Sequence, residues 1–309
     1  MPSAPMAVSS LHADSALPAN WFRRLRTVPP RIGRDVACAL QGALARIPHL
    51  PVSMSIRLPF AVTLLLCAAT AASPAAQTAH LLPMRGHPQR LQLYGPANGT
   101  PVIVSSGDGG WMHLGPHVAE LLAGRGFFVV GFDVKAYLTG FTTDTTTLRS
   151  TDEPADYRAL AAFASAATGQ KPILIGVSEG AGLSVLAASD PETKSMLGGV
   201  IGLGLPDRNE LAWRWKDSLI YLTHRTANEP AFSSTALVRA IAPLPLVLLQ
   251  STHDEFVPIA ETQRIFARAS EPKKLWIIEA SNHRFSSNLP EFDARLMEAI
   301  AWVQGNQPR

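Results

Sequence analysis

The sequence predicts an α/β fold: a mostly parallel sheet with helices on both faces and a small aromatic-rich insertion at about 207–243. Two observations carry this expectation. Six short apolar runs alternate with helical stretches from about residue 79 onward, the pattern of buried strands joined by crossover helices. Gly-rich or polar turns follow several of these runs, where such sheets gather their chemistry.

The elements follow in order. "PVIVSS" (101–106) is short and β-branched and runs into a Gly-rich turn, so it reads as a strand. "LGPHVAELLAGRG" is a helix stopped by Gly124 and Gly126. "FFVVGFD" (127–133) is the second strand. "EPADYRALAAFASAATG" is a helix with acids in its first turn and Gly169 beyond its end. "KPILIGV" (171–177) is a strand, "GAGLSVLAAS" a helix and "LGGVIGLGLP" (197–206) a strand. After the insertion come "LPLVLLQS" (244–251), the helix "PIAETQRIFARAS", the strand "KLWIIEAS" (274–281) and the closing helix "PEFDARLMEAIAWVQ" (290–304). The insertion, with "ELAWRWKDSLIYLTHRTANEPAF", reads either as a cap over a site or as a helix lying flat on the sheet edge.

Composition narrows the class. Hydrophobic residues make up 47% of the 309 and charged ones 17%, enough for a sizeable core. The formal charge of +3 is unevenly spread. Seven Arg and two Asp precede Ala76, and 20 Lys/Arg against 22 Asp/Glu follow it. The body is therefore nearly neutral, which argues against a nucleic-acid partner. The basic excess belongs to the N-terminal quarter. "MSIRLPFAVTLLLCAATAASPAAQTA", from Met54, has a cationic start, a short apolar stretch and small residues at its end, the order of a secretory signal. The expected division is a non-native or disordered extension at 1–53, a signal peptide at 54–76 and one domain at 77–309, exported to the periplasm. A cytoplasmic extension ahead of a signal anchor is the alternative. Both cysteines, Cys38 and Cys67, precede the expected cleavage point, so the body has no disulfide framework or thiol nucleophile.

The chemistry centres on "GVSEG". Ser178 directly follows a predicted strand and precedes a predicted helix, the context of a nucleophile elbow. Gly176 and Gly180 leave room for a strained serine in a tight turn. An alcohol needs a base, and His283, in the loop after the last strand, opens on the same edge. The base needs an orienting acid. Asp254, after the strand 244–251, is the first choice, Asp207 the reserve, and Glu255 is expected to point away. The Glu179 N–H at the helix start and a second N–H from Asp108 or Gly109, in "SSGDGGW", are the expected oxyanion donors. The glycine cluster lacks the Walker and dinucleotide patterns, and no metal-ligand spacing is present, so no cofactor and no metal are expected. Trp111, Trp213 and Trp215 suit either a lipid or acyl chain or the core.

The elbow, Asp254 and His283 together resemble the α/β-hydrolase superfamily over about residues 90–304. More narrowly, "SGDGGW" (106–111), a helix and then "FFVVGFD" resemble the VirJ/AcvB group of bacterial periplasmic proteins. The segment "VKAYLTGFTT" departs from that group's aromatic cluster, keeping Tyr137 and Phe141. The resemblance implies virulence association and serine-hydrolase cleavage of lysyl-phosphatidylglycerol, with Ser178 as nucleophile, a lipid or small-molecule ester as substrate and contact with a membrane surface. An aminoacyl ester would need an anion for its ammonium, and Glu179, Asp108 and Asp144 are available. A non-catalytic envelope or secretion partner, a peptidase and a general carboxylesterase are the alternatives.

Overall fold

The computed structural model describes residues 78–215 and 229–308. The expected extension and signal segment, and the middle of the insertion, lie outside the described residues. Strands β3 (Pro101–Ser105), β4 (Phe128–Phe132), β5 (Ile173–Val177), β6 (Gly199–Leu203), β9 (Leu246–Ser251) and β10 (Lys273–Ile278) answer the six apolar runs. They form the parallel part of an eight-stranded sheet that starts at its edge with β1 (Thr78–Met84) and β2 (His87–Tyr94) and runs in the order β1-β2-β4-β3-β5-β6-β9-β10.

Period-2 alternation gives each parallel strand two apolar faces. Val102, Val104, Ile173, Ile175, Ile201 and Val247 pack into one core with helix α1 (Leu114–Ala123) and the long C-terminal helix α8 (Leu289–Gly305). The alternate positions, such as Ile103 and Leu174, are equally buried and face α3 (Glu153–Ser165) and α4 (Glu179–Ser189). Burying a branched aliphatic side chain stabilises by about 1.5–3 kcal/mol relative to exposure, and these strand positions are almost completely buried.

Several regions depart from the sequence expectation, two of them before β5. β1 (Thr78–Met84) and β2 (His87–Tyr94) form an antiparallel hairpin on the sheet's edge. Their buried and exposed residues alternate, so they show no continuous apolar run. Arg85 and Gly86 turn the chain with φ of 46° and 85°, as a two-residue hairpin requires. The Arg85 guanidinium then clamps Asp156 on α3, with Nε 2.9 Å from Oδ1. The second region is α2 (Val134–Phe141), started by Asp133, whose side chain accepts from the Ala136 N–H at 3.0 Å.

The insertion begins with β7 (Arg208–Glu210), which pairs antiparallel with β8 (Ala231–Ser233). A short helix α6 (Ser234–Leu237) and a 3₁₀ turn then lead back to β9. This ribbon packs on α4. Asn209 is fully buried and its Nδ2 donates to Ser234 Oγ at 2.8 Å. The space it fills is left by Gly182, where a Cβ would collide with the Asn209 amide. The described part of the insertion is thus a fixed wall on α4. Short helices α5 (Pro191–Ser195) and α7 (Ile259–Arg268) complete the fold.

One buried group sets a pH dependence. Glu153, at the start of α3, is fully buried and neither carboxyl oxygen has a partner among the described residues. Burial, then the nearby Asp156 and Asp190, push its carboxyl well above the ordinary range; Tyr137 and Tyr157 also face it. A raised native pKa means that the unfolded chain ionises first. Its contribution is complete below about pH 4.3 and is lost as pH rises toward the native value. Glu153→Gln is therefore expected to flatten the fall in melting temperature as pH rises above about 4.3. Parallel melting curves for the two proteins would rule this out.

Candidate active site

The carboxyl ends of β3, β5, β6 and β9 lie side by side, with Ser105 opposite Gly176, Val177 opposite Leu203, and Leu203 opposite Leu249. This register brings the chain's polar loops to one edge. Ser178 occupies the first position after β5, with φ 51° and ψ −118°. Such a backbone costs a non-glycine residue about 1–3 kcal/mol. It is held by the Ser178 N–H bonding to Leu203 O at 2.9 Å and by α4 starting at once, with the Ala181 N–H on Ser178 O at 2.8 Å. Both flanking glycines are required. A Cβ on Gly176 would strike Gly180 O and Ala181, and one on Gly180 would strike the carbonyl oxygens of Ser105 and Ser106.

The Gly-rich turn after β3 lies against this elbow. The Gly110 N–H closes it on Gly107 O at 3.0 Å, and a Cβ on Gly107 would stand 3.4 Å from Ser178 Cβ. Asp108 and Gly109 line the same pocket as Ser178 and Glu179. The Glu179 N–H opens α4, where the first amides have no acceptor within the helix and the dipole favours negative charge.

Asp254 and His283 meet across the gap between the β9 and β10 loops. His283 Nδ1 stands 2.6 Å from Asp254 Oδ2, with the Asp side chain fully buried and the His side chain 9% exposed. Asp254 Oδ1 accepts from the Phe256 and Val257 N–H groups at 2.9 and 2.8 Å, and Oδ2 also accepts from Gln250 Nε2 at 3.0 Å. Burial raises the Asp254 carboxyl, but the bond and charge of His283 and these N–H donors outweigh it and hold the group below its ordinary range. The other ring nitrogen, His283 Nε2, is buried and has no partner among the described residues. His283 comes this close to the sheet because Gly204, at φ 59°, carries no side chain; a Cβ there would lie 2.5 Å from His283 Cε1. The importance of Gly204 was not legible from the sequence.

Ser178 and His283 both line a pocket of about 440 Å³, with no direct hydrogen bond between them in this conformation. Its walls carry both signs of charge, with Asp108, Glu210 and Glu255 beside Lys135, Arg208 and Arg284. Glu179 answers differently from a surface acid. Its carboxyl is buried and Oε1 accepts from the Glu210 N–H at 2.5 Å, tying the elbow to β7. Burial, then the charges of Asp108 and Glu210, push it well above the ordinary range, which favours its neutral form.

The remaining expectations divide. Asp207, the reserve acid, accepts from Ser233 Oγ at 2.7 Å and the Thr235 N–H at 2.8 Å, so it anchors the start of α6 instead. Glu255 does not point away; it lines the pocket and accepts from the His283 N–H at 2.7 Å. Trp111 lies off the pocket wall. Its ring fills the spaces above Gly131 and Gly115, and Nε1 donates to the Tyr94 hydroxyl at 3.1 Å. Trp213 sits under the Lys135 ammonium, 4.2 Å from its ring centre, and Trp215 is 77% exposed; neither lines the pocket. Asp144 is likewise absent from its walls. Among the described residues, no cluster of His, Cys, Asp and Glu is arranged to hold a metal ion.

A Ser-bearing elbow on such a sheet is the architecture of the α/β hydrolases, and comparison with solved structures gives the same fold. An α/β hydrolase, GrgF, from Penicillium sp. sh18 superposes with a TM-score of 0.56 at 12% identity, covering 75% of this chain and 99% of that one. An esterase of Pyrococcus furiosus gives 0.54 at 17% identity, over 74% and 91% of the two chains. A membrane phospholipase A, described as a novel bacterial virulence factor, gives 0.53 at 14%, over 74% and 87%. The chain is an α/β-hydrolase fold. Within it, residues 100–209 match the family model "Bacterial virulence protein (VirJ)", so the chain resembles VirJ over the Gly-rich turn and the elbow, in a stretch that ends before Asp254 and His283. No curated protein matches the chain.

Proposed function

We propose that this protein is a serine hydrolase that cleaves a carboxylic ester through Ser178, His283 and Asp254. The observation that carries the reading is a strained serine at a helix N-terminus in the same pocket as a histidine held by a buried carboxylate. His283 Nδ1–H donates to Asp254, which leaves Nε2 as the proton acceptor. In the reaction, Nε2 takes the Ser178 proton as Oγ attacks the ester carbonyl. The resulting oxyanion is met by the Glu179 N–H and a second amide at Asp108 or Gly109. The imidazolium then protonates the leaving alcohol, and water releases the acyl group by the reverse sequence.

The narrower substrate is an aminoacyl-phospholipid such as lysyl-phosphatidylglycerol. The VirJ resemblance and a pocket with facing carboxylates and cations support this. Asp108 and Glu210 suit an ammonium, and Arg208 and Lys135 suit a phosphate. Glu179 is the wrong acid for that ammonium, because its carboxyl favours the neutral form. The segment from Met54 supports export to the periplasm. A lipid ester is also in keeping with the phospholipase A named among the proteins of the same fold. The test is a panel of lysyl-phosphatidylglycerol, phosphatidylglycerol, short acyl esters and aminopeptidase substrates. Preference for the lysyl lipid is expected; turnover of the short esters alone would leave a general carboxylesterase, and amide cleavage alone a peptidase.

A further inference from the structure

Three consecutive residues after β9 each hold a different part of His283. Asp254 takes the ring at Nδ1, 2.6 Å away. Glu255 Oε2 accepts from the main-chain N–H of His283 at 2.7 Å. The Phe256 ring meets the imidazole edge-on, with centroids 5.5 Å apart and planes at 78°. Resting on the hydrolase reading above, we propose that Glu255 is a positioning residue: its carboxylate fixes the backbone of the loop that carries the base.

The physical need is plain from the loop's build. Residues 279–288 bridge β10 and α8, and before His283 they are tied to the β9 loop at Ala280, whose O accepts from the His253 N–H at 3.1 Å and whose N–H donates to Thr252 Oγ1 at 3.0 Å. Asn282 Oδ1 accepts from the Arg284 and Ser286 N–H groups, each at 3.1 Å. Phe285, at φ 56°, is buried and stacks on Phe292 of α8. These contacts fix the loop on either side of His283, and the His283 N–H between them is held by Glu255. A single bond from Nδ1 to Asp254 fixes one ring atom and still lets the imidazole swing about that point. The charge-assisted bond to the main chain adds a second point of attachment from the same loop as the acid. Acid and base are then clamped as one unit. Geometry of this kind matters most in the transition state, where a displacement of about 1 Å can cost ~100-fold.

The test uses the full chain with p-nitrophenyl acetate and a fluorophosphonate probe. Glu255→Ala is expected to lower kcat roughly ten- to hundred-fold with KM and melting temperature little changed. Glu255→Gln keeps an oxygen that accepts from the His283 N–H and is expected to restore most of kcat. Wild-type kcat in Glu255→Ala would overturn the proposal, as would Glu255→Gln as slow as Glu255→Ala. Either result, with a wild-type chain that labels and turns over, leaves the hydrolase reading standing. A folded wild-type chain that neither labels nor hydrolyses the ester removes that reading and this one together.

Discussion

Ser178→Ala is expected to abolish ester turnover and fluorophosphonate labelling, with a loss of about 10⁴–10⁶ in kcat and an unchanged melting temperature. The reason is that Ser178 Oγ is the only atom removed. The elbow is held by backbone bonds to Leu203 O and from Ala181 and by close packing at Gly176 and Gly180, none of which involves the hydroxyl. Alanine also inherits the left-handed backbone at φ 51°. A companion variant separates strain from chemistry. Ser178→Gly relieves the backbone cost and is expected to raise stability by about 1 kcal/mol while remaining inactive. Turnover in Ser178→Ala within about tenfold of wild type, or fluorophosphonate labelling that survives the substitution, would sink the assignment of Ser178 as nucleophile.

Asp254→Asn is expected to cost about 10⁴ in kcat with the loop geometry largely kept. Oδ1 receives two backbone N–H groups, so an asparagine must keep its oxygen there and turn its NH₂ toward His283 and Gln250. His283 Nδ1 then becomes an acceptor, its proton moves to Nε2, and the base faces Ser178 in the wrong tautomer. The same substitution changes acid stability. The native Asp254 carboxyl lies below its ordinary range, so its contribution is present above about pH 4 and is lost as pH falls through the native value. Asp254→Asn removes this part of the acid sensitivity. A variant with wild-type kcat would exclude Asp254 as the orienting acid.

Much of the sheet was legible because parallel strands announce themselves as apolar runs. β3, β5, β6 and β9 fall within a few residues of the expected bounds. The hairpin β1–β2 hid because an edge hairpin alternates polar and apolar residues, and its local register comes from a turn that the Arg85–Gly86 pair sets. α2 hid because its start signal, the Asp133 side chain on the Ala136 N–H, sits within a run that reads as a strand's end.

The candidate site divides along the same line. By itself the sequence determined that a Gly-flanked serine ends a strand and begins a helix, and that Asp254 and His283 follow later strands, because these are local facts of pattern and order. Only the tertiary structure decided which acid meets the histidine. Asp207 and Asp254 both follow strands, yet Asp207 is used up by Ser233 and Thr235 while Asp254 reaches His283. It also decided that Glu179 is buried against the Glu210 N–H, that Trp111 fills the space above Gly131, and that Glu255 turns toward His283. The physical reason is that a side chain's partner is set by loops distant in sequence, here 28 residues apart for Glu255 and 31 for Glu179, and no local pattern encodes such a distance.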